Sequence, residues 1–213
     1  MAQAAVINRA SLSQQIRDAL LERIVSGALE PGDRLIELKI AEEMQTSQAP
    51  VREALRELEA IGLIEIQRNR GARVRIIDDA ELTEIYAVRA ELEALAGELA
   101  ARRDPTIAEQ LVQIIDRMVP AAAAADVRRF ANLNSEFHGL IVETASEGAL
   151  RDIWKGLDVR ARTHLNMSRS VADLQALTDA HRAIAEAIGS GDAAKARALS
   201  WEHVRGNAPA QLA

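Results

Sequence analysis

The hydrophobic positions of this chain fall into two regimes. In the first, short helical stripes give way to an alternating ribbon. Ile16, Leu20 and Ile24 recur every fourth residue between Ser11 and Gly27, which predicts an amphipathic helix with a cap at one end and a stop at the other. Leu29-Glu30-Pro31-Gly32-Asp33 reads as a turn, and Leu35 leads on from it. Residues 37–61, ELKIAEEMQTSQAPVREALRELEAI, read as two short helices joined tightly. The first runs from Glu37 to Met44, and the second starts after Ser47, whose hydroxyl can cap it. Pro50 sits in the first turn of that second helix, where a missing N–H costs little. Val51, Leu55 and Leu58 form its apolar stripe, while Gln48, Arg52 and Arg56 occupy the opposite face. After Gly62 the period changes to two. Leu63–Gln67 reads as a strand, Arg68-Asn69-Arg70-Gly71 as a turn, and Ala72–Ile76 alternates apolar residues with arginine.

The second regime begins at Asp79 and is helical throughout. The predicted helices are Ala80–Arg103, one from Pro105 ended by Pro120, then 126–145, 148–166, 172–189 and 193–207, with Asp192 capping the last. No motif repeats between them, so a bundle is expected rather than a solenoid. The predicted fold is mainly α. It has an N-terminal winged helix-turn-helix with a two-stranded wing (8–77), followed by an all-α six-helix bundle (78–213).

Composition narrows the classes. Hydrophobic residues make up 48% and charged residues 27%, as in a globular protein, and no run of eighteen apolar residues could span a membrane. The N-terminus shows no apolar signal core, so a cytoplasmic location is expected. With no cysteine, disulfides and thiolate metal sites are excluded. The net charge of −6 argues against a polyanionic partner until it is divided. Residues 1–77 hold 11 basic and 11 acidic side chains, while residues 78–213 hold 15 and 21 and carry the whole excess. Within the neutral part, Arg68–Arg75 has four arginines and no acid. As a solvated ribbon such a patch has no purpose. Beside a helix-turn-helix it suits the DNA backbone.

The residues Pro31-Gly32-x-x-Leu35-x-Glu37-x-x-Ile40-Ala41, then Ser47-x-x-Pro50-Val51-Arg52-Glu53-Ala54-Leu55-x-x-Leu58, then Gly62-Leu63 and Asn69-Arg70-Gly71-x-x-Val74 resemble the DNA-binding domain of GntR-family bacterial transcriptional regulators. The spacing matches without a gap. The resemblance implies a homodimer on a palindromic double-stranded operator. Ser47, Gln48, Arg52 and Arg56 would face the groove, and Asn69, Arg70 and Gly71 would lie at the wing tip. Ser47 has the rival role of a cap. Gln48-Ala49 stands where the family commonly has Arg-Thr. Glutamine can pair with adenine N6 and N7 but cannot supply a charge-assisted contact.

All four histidines, His138, His164, His181 and His203, lie in the helical part. Asn134 and His138 share one helix face at i, i+4, a workable pair for a metal ion, although helical histidines more often sit on a surface or in a satisfied core. Asn134-x-x-Phe137-His138, His181-x-x-Ile184-x-x-Ala187-Ile188-x-x-Gly191-Asp192, Ala196, His203 and Arg89-x-x-Leu92-Glu93 resemble the FCD-type effector domain of the FadR subfamily. That resemblance implies a divalent ion of zinc, nickel or manganese type held by Asn134, His138, His181 and His203, with asparagine where aspartate is commoner. It also implies that Arg89 meets the carboxylate of a small organic acid effector. The bland role of Arg89 is a salt bridge to Glu93. His164 is expected at the effector or in the core, with Arg160 and Arg162 as weaker pocket candidates.

The expected function is a regulator, most often a repressor in this family, whose effector acts on the DNA-binding head through the junction Arg75–Ala80. A metal-dependent enzyme acting on a small organic acid through the three histidines is the alternative. No Ser-His-Asp arrangement, HExxH motif or phosphate-binding glycine loop supports it, so an enzyme is not expected. A third possibility is a DNA-architectural protein whose bundle only dimerises.

Overall fold

The computed structural model describes residues 11–67, 71–157, 159, 162–163, 166–167 and 173–209. The chain divides into two compact units between Ile76 and Ile77.

The first unit opens with α1 (Leu12–Val25), which Ser11 starts through a reciprocal capping box with Gln14. Next come β1 (Arg34–Leu35), α2 (Glu37–Glu43), α3 (Gln48–Ala60), β2 (Ile64–Gln67) and β3 (Gly71–Val74). Ile16, Leu20, Val51, Leu55 and Leu58 are all buried, so the stripes of α1 and α3 face one core. The turn between α2 and α3 is closed by backbone bonds from Gln45 to Glu42 and from Thr46 to Ala41. This is a Schellman stop whose left-handed position is taken by Gln45 at φ 51 rather than by glycine. The expected pair of wing strands has a third partner. Antiparallel β1 joins β3, with Leu35 opposite Ala72 and both buried, to give the order β1-β3-β2.

The wing arginines differ from the sequence reading. Arg73 and Arg75 are only partly exposed, and each binds its own domain. Arg73 donates to the Gly32 carbonyl (2.7 Å) and Arg75 to the Gly62 carbonyl (3.1 Å). They anchor the base of the ribbon to the loops beneath it. Ile76 lies past the strand and is exposed, so the alternation ends at Arg75.

The second unit contains α4 (Asp79–Arg103), a 3-10 turn (Pro105–Ile107), α5 (Ala108–Ala123), α6 (Val127–Ala145), α7 (Ala149–Gly156), α8 (Leu174–Gly189) and α9 (Ala193–Gly206). Residues 159, 162–163 and 166–167 are also helical and buried. Asp78, Asp126, Asp173 and Asp192 each accept a backbone N–H one turn into the following helix. Each such cap stabilises its helix by about 1 kcal/mol. Pro120 does not end α5, which continues to Ala123. Its ring lies on the exposed side, where the carbonyl that loses its partner meets water.

The central helix is α4, packed along α9 and α6. Its buried surface is made by small residues more than by leucines. Ala90, Ala94, Ala96 and Ala100 are fully buried, whereas Leu95 is exposed. At Gly97 a Cβ would come within 2.6 Å of Ser200 Oγ and 3.1 Å of the Ala196 carbonyl oxygen. Glycine there lets α4 and α9 approach backbone to side chain. This close packing brings polar residues of α4, α6, α8 and α9 together.

Candidate functional site

On the first unit, the polar face of α3 is open. Gln48 is its first residue and is exposed, as are Arg52 and Arg56. Arg56 has no ion-pair partner among the described residues, while Arg52 donates from Nε and Nη2 to the carboxylate of Glu37 (2.9–3.3 Å). Ser47 occupies the N-cap position with extended backbone, yet its side chain makes no capping hydrogen bond. The hydroxyl read as a cap is therefore exposed and free for another acceptor or donor. Gly71 opens β3 at φ +81, a conformation that glycine adopts without strain. Asn69 and Arg70, with Arg68, lie outside the described residues.

In the second unit the four residues expected to bind metal do converge. Asn134 and His138 come from α6, His181 from α8 and His203 from α9, and all are buried. The ligand atoms of the three histidines lie within 4.8 Å of one another. Phe137 walls the group, with its ring edge-on to His181 at 4.7 Å between centroids.

The protonation pattern follows from the partners. His181 Nδ1 lies 2.7 Å from the Leu177 carbonyl, which can only accept, so this nitrogen carries the proton. Its Nε2 then presents a lone pair, 3.0 Å from Asn134 Oδ1. Two acceptors facing at that distance repel. Either a cation between them or a half-turn of the amide relieves it. His138 Nε2 and His203 Nδ1 are buried with no hydrogen-bond partner. His138 Nδ1 lies 2.9 Å from Glu93 Oε2, off linear alignment, and a carboxylate there holds the proton on that side. Burial, then the neighbouring His203 and His138, push His181 well below the ordinary histidine range. Burial, then His138, lowers His203 to about 3. His181 and His203 are thus neutral at pH 7, the form that ligates a metal. Three unprotonated imidazole nitrogens and an amide oxygen fit a divalent ion of borderline softness.

Arg89 takes the bland role first. It is 2% exposed, donates from Nε to Glu93 (3.1 Å) and from Nη1 to Thr163 Oγ1 (3.1 Å), and lies over the Tyr86 ring. It also borders a cavity of about 20 Å³ whose other walls include Asn134, Thr163, His203 and Asn207. That volume suits about one water. Burial would raise the Glu93 carboxyl, but Arg89, then His138 and Trp154, hold it well below the usual range. Arg162 is buried and donates to the Leu157 carbonyl, so it is not solvated. His164 and Arg160 lie outside the described residues.

Glu93 and Trp154 are the residues that sequence reasoning missed. Glu93 was visible only as the salt-bridge partner of Arg89 one turn away. Its contacts with His138 and with Trp154 Nε1 (2.8 Å) join α4 to α6 and α7 across 45 and 61 residues. No local period reports such a contact.

Comparison with known proteins identifies both units. Residues 12–74 match the family described as "Bacterial regulatory proteins, gntR family", and residues 84–206 match the FCD domain. The chain is 35% identical, over 96% of its length and 90% of the relative's, to the "Probable D-xylose utilization operon transcriptional repressor" of Paenarthrobacter nicotinovorans. It is 29% identical to the gluconate operon transcriptional repressor of Bacillus subtilis, over 88% of this chain and 80% of that one. The solved structure of Escherichia coli McbR/YncC shares the fold, with a TM-score of 0.79 at 24% identity over 93% of this chain and 96% of that chain. These relatives are regulators and not enzymes, so the metal-enzyme alternative has no support. Among the described residues no helix is long and apolar enough to cross a membrane. The chain belongs to the GntR family of bacterial transcriptional regulators, with an N-terminal winged helix-turn-helix and a C-terminal FCD domain.

Proposed function

We propose that this regulator is a ligand-responsive repressor of the FadR subfamily, located in the cytoplasm, that binds a palindromic operator as a homodimer. A small carboxylate effector, taken up beside a divalent metal in the bundle, alters its operator affinity. The observation that carries this reading is the set of buried, unpartnered ring nitrogens of His138 and His203, set with His181 Nε2 and Asn134 Oδ1 around one point beside Arg89. Unpartnered polar atoms in a core cost stability unless a ligand meets them.

Asn134, His138, His181 and His203 would hold the ion, which when bound supplies a Lewis-acidic centre for an oxygen anion. The four protein donors are neutral, so an anionic effector completes the charge. Arg89 pairs with the effector's carboxylate after yielding part of its present hydrogen bonding. Gluconate, which names one relative's operon, is an acid of this class. On the DNA side, Arg52 and Arg56 engage phosphate or guanine, Gln48 reads adenine, and Ser47 reaches a phosphate. By the resemblance, Asn69, Arg70 and Gly71 would meet the DNA backbone or the minor groove. The segment Arg75–Ala80 couples the two units as a two-state element that both ligands bias.

A thermal-shift screen of zinc, nickel and manganese salts, each with and without gluconate and related small acids, tests this reading. The melting temperature should rise with one metal and rise further with metal and acid together. A chain indifferent to every metal and every acid would be an architectural DNA binder instead.

A further inference from the structure

The ligand set has three neutral imidazoles and a neutral amide, so none of its members offsets a divalent ion. Among the described residues, one carboxylate is buried against that set. Glu93, on α4, is 2% exposed and touches three elements. Its Oε1 accepts from Arg89 Nε (3.1 Å) and Trp154 Nε1 (2.8 Å). Those two donors fix the plane of the carboxylate. The remaining oxygen, Oε2, lies 2.9 Å from His138 Nδ1 on α6, off linear alignment. Had Glu93 served only as a counterion to Arg89, the i, i+4 bridge on one helix would suffice. The indole of α7 and the imidazole of α6 would be superfluous.

We propose that Glu93 is the positioning residue of the metal site: it holds His138 with Nε2 turned into the site and strengthens that ring as a donor. A carboxylate behind a ligating histidine fixes its tautomer and strengthens the ring as a donor. The inference rests on the metal reading above and adds to it a residue that is not itself a ligand.

The experiment uses the full chain and Co²⁺ alone as probe, with binding followed by the visible ligand-field band of the ion. Glu93→Gln should bind Co²⁺ roughly 10- to 100-fold more weakly, with the band shifted. Because this variant strands a buried arginine and can fail to fold, the pair Arg89→Gln/Glu93→Gln removes both charges together and should show the same loss. Trp154→Phe, which removes one of the two donors to Oε1, should weaken Co²⁺ binding less than Glu93→Gln does. A separate readout needs no metal. In ¹⁵N–¹H spectra of the metal-free chain, His138 should carry its proton on Nδ1, and the paired variant should lose that preference. If the wild type binds Co²⁺ and both Gln variants keep its affinity and band, the role of Glu93 is overturned while the metal site stands. If the wild type binds no Co²⁺, the metal reading falls and this inference with it.

Discussion

Two arginine–glutamate pairs set the two units of this protein apart. Arg52 and Glu37 meet on the surface of the DNA-binding head, with side chains 52% and 34% exposed. Arg89 and Glu93 meet inside the bundle, both at 2%. The chemistry is the same and the consequences are opposite. An exposed pair is screened by water and salt and holds its members loosely, so Arg52 is free to exchange Glu37 for a phosphate or a guanine. In the bundle, each member keeps a buried charge from standing alone, and neither can leave without a replacement of like charge. The head therefore keeps its functional groups available at its surface. The bundle keeps the Arg89–Glu93 pair satisfied, and an anion would compete for Arg89 only by taking over the role of Glu93.

Substituting each arginine by methionine separates the two cases most sharply. Arg89→Met leaves Glu93 a buried carboxylate with fewer donors and should destabilise the bundle by about 3–5 kcal/mol, read by denaturant unfolding. A loss near zero would mean that water reaches the pair. Acidification comes next. The folded bundle keeps His181 and His203 neutral, and His203 titrates only at about 3, while the unfolded chain takes up protons near 6.5. Between these values the unfolded state binds more protons, so stability falls as pH falls. For His203 alone the loss is about 2 kcal/mol by pH 5, an upper estimate. The head contains no histidine and should be flat between pH 7 and about 5, above the carboxylate range. Equal acid sensitivity of the two units in unfolding scans would refute the contrast. Smallest in stability, Arg52→Met should leave the melting temperature unchanged and weaken operator binding roughly 10- to 100-fold in gel shift. Full retention of binding would remove Arg52 from the interface.

Much of the head is legible in the sequence because its core is built from local stripes. Val51, Leu55 and Leu58 announce α3, and Ser11 announces the start of α1. What is not legible there depends on distant backbone. Nothing near Arg73 or Arg75 shows that the Gly32 and Gly62 carbonyls wait for them. Ser47 has the right residue type for a cap and the right position, yet its hydroxyl makes no such bond. In the bundle, the capping aspartate at 192 and the convergence of Asn134, His138, His181 and His203 follow from sequence and resemblance. The α4 surface does not. Its leucines suggest one stripe, while close packing against α9 selects the alanines and Gly97. Glu93 escapes notice because its role is set by a partner on another helix.

The contact at Gly97 also bears on how such a chain can change over generations. A methyl group at 97 collides with the hydroxyl of Ser200 at 2.6 Å and with the Ala196 carbonyl at 3.1 Å. The hydroxyl can be removed by substitution, but the carbonyl cannot. Drift at position 200 toward alanine removes the closer contact, and a methyl at 97 then requires the backbone of α9 to give by a few tenths of an ångström. Among descendants of this sequence, position 200 should vary between small residues and position 97 should stay glycine. Lineages that break this pattern should carry a displaced last helix and, with it, an altered position of His203.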